Sequence, residues 1–148
     1  MISPLQKKIE SLEASKCAAG QFISLQTNNN AANPGIVTWG TVIHHDTSQK
    51  LFSVSKTNNS ITVNQPGVYQ VHVRLGITNV TNGYATFLQL NGSNVAQSMF
   101  ADAYGYQITV QITETMTLKA KDSLQVTANV SSIVLAPQNS AFTVLKLA

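Results

Sequence analysis

A chain of 148 residues is long enough for one domain to bury its own core, and its single cysteine, Cys17, excludes an internal disulfide framework. Only 10% of residues are charged, and the formal net charge of +3 comes from nine scattered Lys and Arg residues of which only Lys7 and Lys8 are adjacent. That spread excludes the dense basic stripe of a nucleic-acid binder, and a 43% hydrophobic content with Asn, Thr, Ser and Gln in place of charges excludes a disordered chain.

Residues 1–20 read as an N-terminal arm. Ser3, Pro4 and Gln6 have the form of a helix start, with Ser3 as N-cap, Pro4 at the first helical position and Gln6 placed for a capping box. The helix is predicted to run to about Lys16. Ile2, Leu5, Ile9 and Leu12 step by three, four and three residues and make a seam, while Lys7, Lys8, Glu10 and Glu13 take other faces. So short a helix does not hold alone in water. Its seam must meet two further copies on an oligomer axis, dock in a groove on another protein, or stay frayed. Cys17 beside it is a packed or surface residue, or the origin of an intermolecular disulfide. The opening residues lack the apolar run of a signal peptide, and no window approaches a membrane span, so neither classical secretion nor a membrane partner is expected.

Residues 21–148 read as one β domain. Phe22-Ile23-Ser24-Leu25 starts a strand, Asn33-Pro34-Gly35 marks a turn, and Ile36 to His45, with the only tryptophan, Trp39, reads as the next strand. Leu51 to Val54 and Ile61 to Val63 are short strands. Pro66-Gly67 fits the middle of a type II turn. After it Tyr69, Val71, Val73 and Leu75 fall on one side of a ribbon and Gln70, His72 and Arg74 on the other, the pattern of a half-buried strand. Tyr84 to Leu90 and Asn94 to Met99 flank Asn91-Gly92, the strongest two-residue hairpin signal. Gln107 to Thr113, Thr115 to Ala120, Ser123 to Ala128 and Ala141 to Leu147 complete nine or ten strands, with a turn at Lys121-Asp122. Turn signals every eight to twelve residues describe an all-β, two-sheet sandwich of Greek-key or jelly-roll type.

Chemistry is sparse. His44-His45-Asp46 has ligand-like residue types, but neighbours on a strand point to opposite faces, so the reading is a hydrogen-bonded turn-edge pair. Three subunits gathering one histidine each around an axis for a metal or anion is the sharper alternative. The six acids, Glu10, Glu13, Asp46, Asp102, Glu114 and Asp122, are too dispersed for a calcium site. Neither a nucleophile motif nor a phosphate loop stands in the chain, so no enzyme, metal or cofactor is expected. Four Asn-x-Ser/Thr triplets begin at Asn58, Asn79, Asn91 and Asn129 among thirteen asparagines, and are read as turn chemistry before glycosylation. Tyr84, Phe100, Tyr104 and Tyr106 gather near one predicted loop end, where amphipathic aromatics either contact a carbohydrate or protein ligand or fill the core.

The order of the pieces from Phe22 to Leu147 resembles the C1q/TNF-like jelly roll. The likeness rests on Ile61-x-Val63-x-x-Pro66-Gly67-Val68-Tyr69-x-Val71, on Phe87-Leu88-Gln89-Leu90-Asn91-Gly92, and on Met116 to Val126 followed by Ser140-Ala141-Phe142-Thr143-Val144. The sequence departs from that pattern where the family often has Gly-Asp and this chain has Lys121-Asp122, and where a phenylalanine is usual in place of Ile61. The resemblance implies a homotrimer of sandwiches packed about an axis. Taken with the arm, it leads to an expected role in a virion, on the capsid surface of a phage. There the chain is a trimeric decoration (cement) or spike protein, anchored on a major capsid protein or another virion protein by Ile2, Leu5, Ile9 and Leu12. The alternative is a soluble C1q-like recognition module that binds glycan or protein ligands through the loop-end aromatics.

Overall fold

The computed structural model of the chain describes residues 2–10, 19–27, 35–46, 50–78, 84–100, 108–128, 134–135 and 140–148. Twelve strands follow one another: β1 (Phe22–Gln26), β2 (Gly35–Ile36), β3 (Thr41–His45), β4 (Phe52–Val54), β5 (Ser60–Val63), β6 (Gly67–Thr78), β7 (Tyr84–Leu90), β8 (Ser93–Phe100), β9 (Ile108–Leu118), β10 (Ser123–Ala128), β11 (Val134–Leu135) and β12 (Ala141–Lys146). Sheet I has the order β9-β6-β12-β1-β3, with β11 pairing the far end of β6. Sheet II has the order β4-β5-β10-β7-β8, with β2 on the far end of β10. Every pairing is antiparallel, and apart from β4–β5 and β7–β8 most neighbours in the sheets come from distant parts of the sequence, which is the jelly-roll arrangement.

The period-two pattern explains why these sheets close on each other. Tyr69, Val71, Val73 and Leu75 are all buried, whereas Gln70, His72 and Arg74 take the opposite face of β6. β12 repeats the pattern with Phe142, Val144 and Lys146 inside, and β10 with Leu124, Val126 and Ala128. These residues, with Ile23, Leu25, Ile61, Val63 and Leu88, form one core between the sheets. Each fully buried aliphatic contributes about 1.5–3 kcal/mol. Trp39 tilts over Phe142 at 5.9 Å, and Phe52 meets Tyr69 edge-on at 6.2 Å.

Asn91 and Gly92 have φ of 51° and 85° and join Leu90 directly to Ser93, as a type I′ hairpin requires. The register slips at Leu88/Gln89, and Val95 is left without a partner in it and 45% exposed.

Four sequence expectations change. Ile36 to His45 is not one strand: β2 belongs to sheet II, β3 to sheet I, and the chain crosses between them. Val37 N–H donates to Val126 O (2.8 Å) and Gly40 N–H to Gln26 O (2.8 Å), which satisfies the backbone on both sides of the crossing. The two runs either side of Glu114 are a single strand, β9, because Val110, Ile112, Met116 and Leu118 keep one parity throughout. Glu114 lies opposite Val71 on the same parity and stays exposed, since β9 pairs only with β6 among the described strands. Gly67 does not have the positive φ of a type II turn. It opens β6, and a Cβ there would collide with Ala148 O and come within 2.7 Å of Lys146 Nζ, so the glycine provides room for the C-terminal residues. Finally, β11 was not anticipated, as two residues are too few to show a period.

Candidate functional site

The arm forms as its first residues dictate. Residues 4–10 are helical, Gln6 N–H donates to Ser3 Oγ (3.2 Å) and Lys7 N–H to Ser3 O (3.0 Å). Ser3 therefore caps the helix, and Pro4 takes the position where a missing N–H costs nothing. Ile2, Leu5 and Ile9 are 46%, 68% and 47% exposed, an apolar stripe that the described residues leave open. Leu12 and Cys17 lie outside the described residues. The arm joins the body at Gly20, whose φ of +84° turns the chain and whose N–H donates to Lys146 O (2.7 Å).

The end of the sandwich at this junction gathers charge that is dispersed in the sequence. Asn64 ties two loops together: its Nδ2 donates to Lys50 O (2.9 Å), and its Oδ1 accepts from Lys121 Nζ (3.2 Å). Lys50, Lys119 and Lys121 are all exposed. The nearby acids are occupied internally. Asp122 Oδ2 accepts from Lys119 N–H (2.8 Å) and Oδ1 from Asn91 Nδ2 (3.0 Å), and the first of these bonds, then the second, holds its carboxyl below the usual range. Asp46 is buried, with Oδ2 accepting from Leu51 N–H (3.1 Å).

Beneath these loops lies Lys146, fully buried, with Nζ 5.7 Å from the centre of the Tyr69 ring. Burial lowers its ammonium from the ordinary lysine value. Burial also pushes the Tyr69 hydroxyl up to about 12, while that hydroxyl donates to Gln65 O (2.7 Å).

His44 in β3 and Asp46 just past its end lie two residues apart, with His44 Nδ1 3.4 Å from Asp46 Oδ1. Both atoms are buried, and neither makes a hydrogen bond. His45 takes the intervening position, opposite Phe22. Among the described residues no three His, Cys, Asp or Glu side chains come together as a metal-binding group.

The comparison with solved structures decides the fold family. The chain superposes on Eiger TNF from S. frugiperda with a TM-score of 0.72 and 14% identity, covering 87% of this chain and 94% of that one. Murine APRIL, solved at pH 5.0, gives 0.72 and 13% over 86% and 99%, and the globular domain of zebrafish complement 1qA gives 0.69 and 13% over 86% and 98%. This is a C1q/TNF-like jelly roll. At the level of sequence no protein-family model matches the chain, and no curated protein does either.

The two outer faces of the jelly roll are nearly free of charge. On sheet I, His72 Nδ1 lies 2.8 Å from Thr113 Oγ1 and Ser24 Oγ 3.0 Å from Thr143 Oγ1, in one row that ends at the exposed Ile43. Half-buried Phe22 and Leu145 stand beside it. On sheet II, Gln125 Nε2 donates to Gln89 Oε1 (2.7 Å) and Gln89 Nε2 to Asn94 Oδ1 (2.8 Å), an amide ladder across β10, β7 and β8. Of the loop-end aromatics, Tyr84 and Phe100 are placed directly opposite each other where β7 and β8 end. Tyr104 and Tyr106 lie outside the described residues. Sequence reasoning missed the Lys50, Lys119 and Lys121 group, because its members meet only through folding. The one available signal was Lys121 standing where the C1q/TNF pattern has glycine.

Proposed function

We propose that the chain is a non-catalytic attachment and assembly module, a homotrimeric jelly roll that its N-terminal arm anchors to a larger protein shell. In its specific form the shell is a virus capsid and the chain a decoration (cement) or spike protein on the capsid surface. The observation that carries this reading is the capped helix whose Ile2, Leu5 and Ile9 face solvent. An apolar stripe on a helix too short to be stable alone supports burial against a partner groove. The outer face of sheet I, with Ile43, Phe22 and Leu145 and with Arg74 its one arginine, supports packing of copies against one another.

Removal of residues 1–20 tests it. The truncated protein keeps the mass of a trimer by light scattering and no longer co-sediments with purified particles. Truncated protein that decorates particles fully overturns anchoring by the arm.

The second reading is a soluble recognition module for glycan or protein ligands, and the Tyr84 and Phe100 pairing at the far strand ends favours it. On that reading the truncation retains all ligand binding.

A further inference from the structure

We infer that the arm-bearing end of the sandwich is itself a docking surface for a carboxylate-rich protein patch, gripped by Lys50, Lys119 and Lys121. This inference names the chemistry of the partner in the attachment proposed above, and rests on that reading.

Lys121 carries the argument furthest. It has φ of 75°, the left-handed region, and is the only described residue there besides glycines and asparagines. A side chain with a Cβ pays for that conformation, and asparagine escapes part of the cost through local hydrogen bonds that lysine cannot make. Glycine is the residue for such a turn, so the backbone gains nothing from lysine there, and what the side chain offers is its ammonium. Among the described residues it reaches only an exposed amide oxygen, Asn64 Oδ1, which adds little to stability.

The surroundings sharpen the sign. Asn64 links Lys121 to the Lys50 loop, and Lys119 stands two residues away in the same turn. Asp122 stays an anion, held ionised by the bonds from Lys119 N–H and Asn91 and by the Lys119 charge, and Asp46 is buried, so the three exposed lysines still outnumber the carboxylate beside them. Three exposed lysines therefore belong to the end of the sandwich at which Gly20 bonds to Lys146.

The cations fit carboxylates on a protein better than the other polyanions. Lipid headgroup recognition uses clusters of about four to eight basic residues, and this group has three. Single-stranded nucleic acid asks for aromatic platforms among the cations, and none stands among Lys50, Asn64, Lys119, Lys121 and Asp122. Compact lysine ammoniums, without arginine forks, suit single carboxylates.

The test uses the full chain with three probes: poly-L-glutamate, phosphatidylserine vesicles and duplex DNA. The chain binds poly-L-glutamate at low salt and releases it as salt rises. The triple variant Lys50→Ala, Lys119→Ala, Lys121→Gly binds about tenfold more weakly, the sum expected of three exposed ion pairs. Lys121→Gly alone weakens binding while its thermal midpoint stays level or rises. Unchanged binding by the triple variant overturns the inference, and so does a lower midpoint for Lys121→Gly, which makes that lysine structural. Tighter binding to vesicles or DNA that the triple variant loses assigns the surface to lipid or nucleic acid instead. Because the assay contains no particle, its failure leaves anchoring by the arm standing, and failure of the arm leaves this result readable.

Discussion

Strand β6 and the arm helix both carry apolar residues at regular spacing, and their fates differ. Tyr69, Val71, Val73 and Leu75 are at most 1% exposed because a second sheet closes over them, whereas Leu5 is 68% exposed and no described residue covers it. The lesson is that a periodic pattern reports a need for burial without saying where the cover comes from. Where the chain supplies the cover, the pattern explains stability. Where it does not, the pattern points to another molecule.

The largest effects are expected where the cover is complete. Leu75→Ala is predicted to cost about 2–5 kcal/mol in a chemical denaturation, and Leu5→Ala about 0.5 kcal/mol or less in the same measurement. Equal losses would erase the distinction between the two stripes. Gly67→Ala comes next, at about 1–3 kcal/mol, since its methyl must displace Ala148 or the buried Lys146. Tyr69→Phe removes the bond to Gln65 O and costs about 1 kcal/mol.

Titration sharpens the picture at the same end of the core. Tyr69 holds its proton to about 12 in the fold against 10.0 when unfolded, so native binds more protons than unfolded across that interval. Its contribution is present below pH 10 and is lost as pH rises through 12. Lys146 has the opposite sign. The buried ammonium is penalised below its lowered pKa, and stability gains as pH climbs from there to the unfolded value of 10.5. In alkaline unfolding curves, Lys146→Met should lose the rise and Tyr69→Phe the later fall. The smallest effect belongs to Asp122: its lowered carboxyl favours the fold above pH 3.8, and that contribution fades as acid takes pH down through the folded value. Because Asp122 is solvent-screened, Asp122→Asn should flatten the acid limb only slightly.

Much of the sandwich was legible because its signals are local. The alternation from Tyr69 to Leu75, the Asn91-Gly92 hairpin and the Ser3-Pro4 helix start each depend on residues that touch along the chain. What escaped depends on residues far apart. The break of Ile36 to His45 into β2 and β3 follows from two sheets competing for one segment, with Val126 on one side and Gln26 on the other. The need for glycine at position 67 comes from Lys146 and Ala148 at the opposite end of the sequence. The lysine group is the same case, for Lys50 and Lys121 become neighbours only through Asn64. The seam of Ile2, Leu5 and Ile9 was readable as a pattern, but what covers it is not legible in residues that neighbour it along the chain.

Hydrogen exchange of the backbone amides of residues 5–10, in the free protein and after attachment to particles, tests the central claim most directly. Rapid exchange when free and strong protection when attached is the predicted result, as a short capped helix gains its cover from the shell. Equally rapid exchange in both states would contradict the account, because the arm would then not be what holds the protein in place.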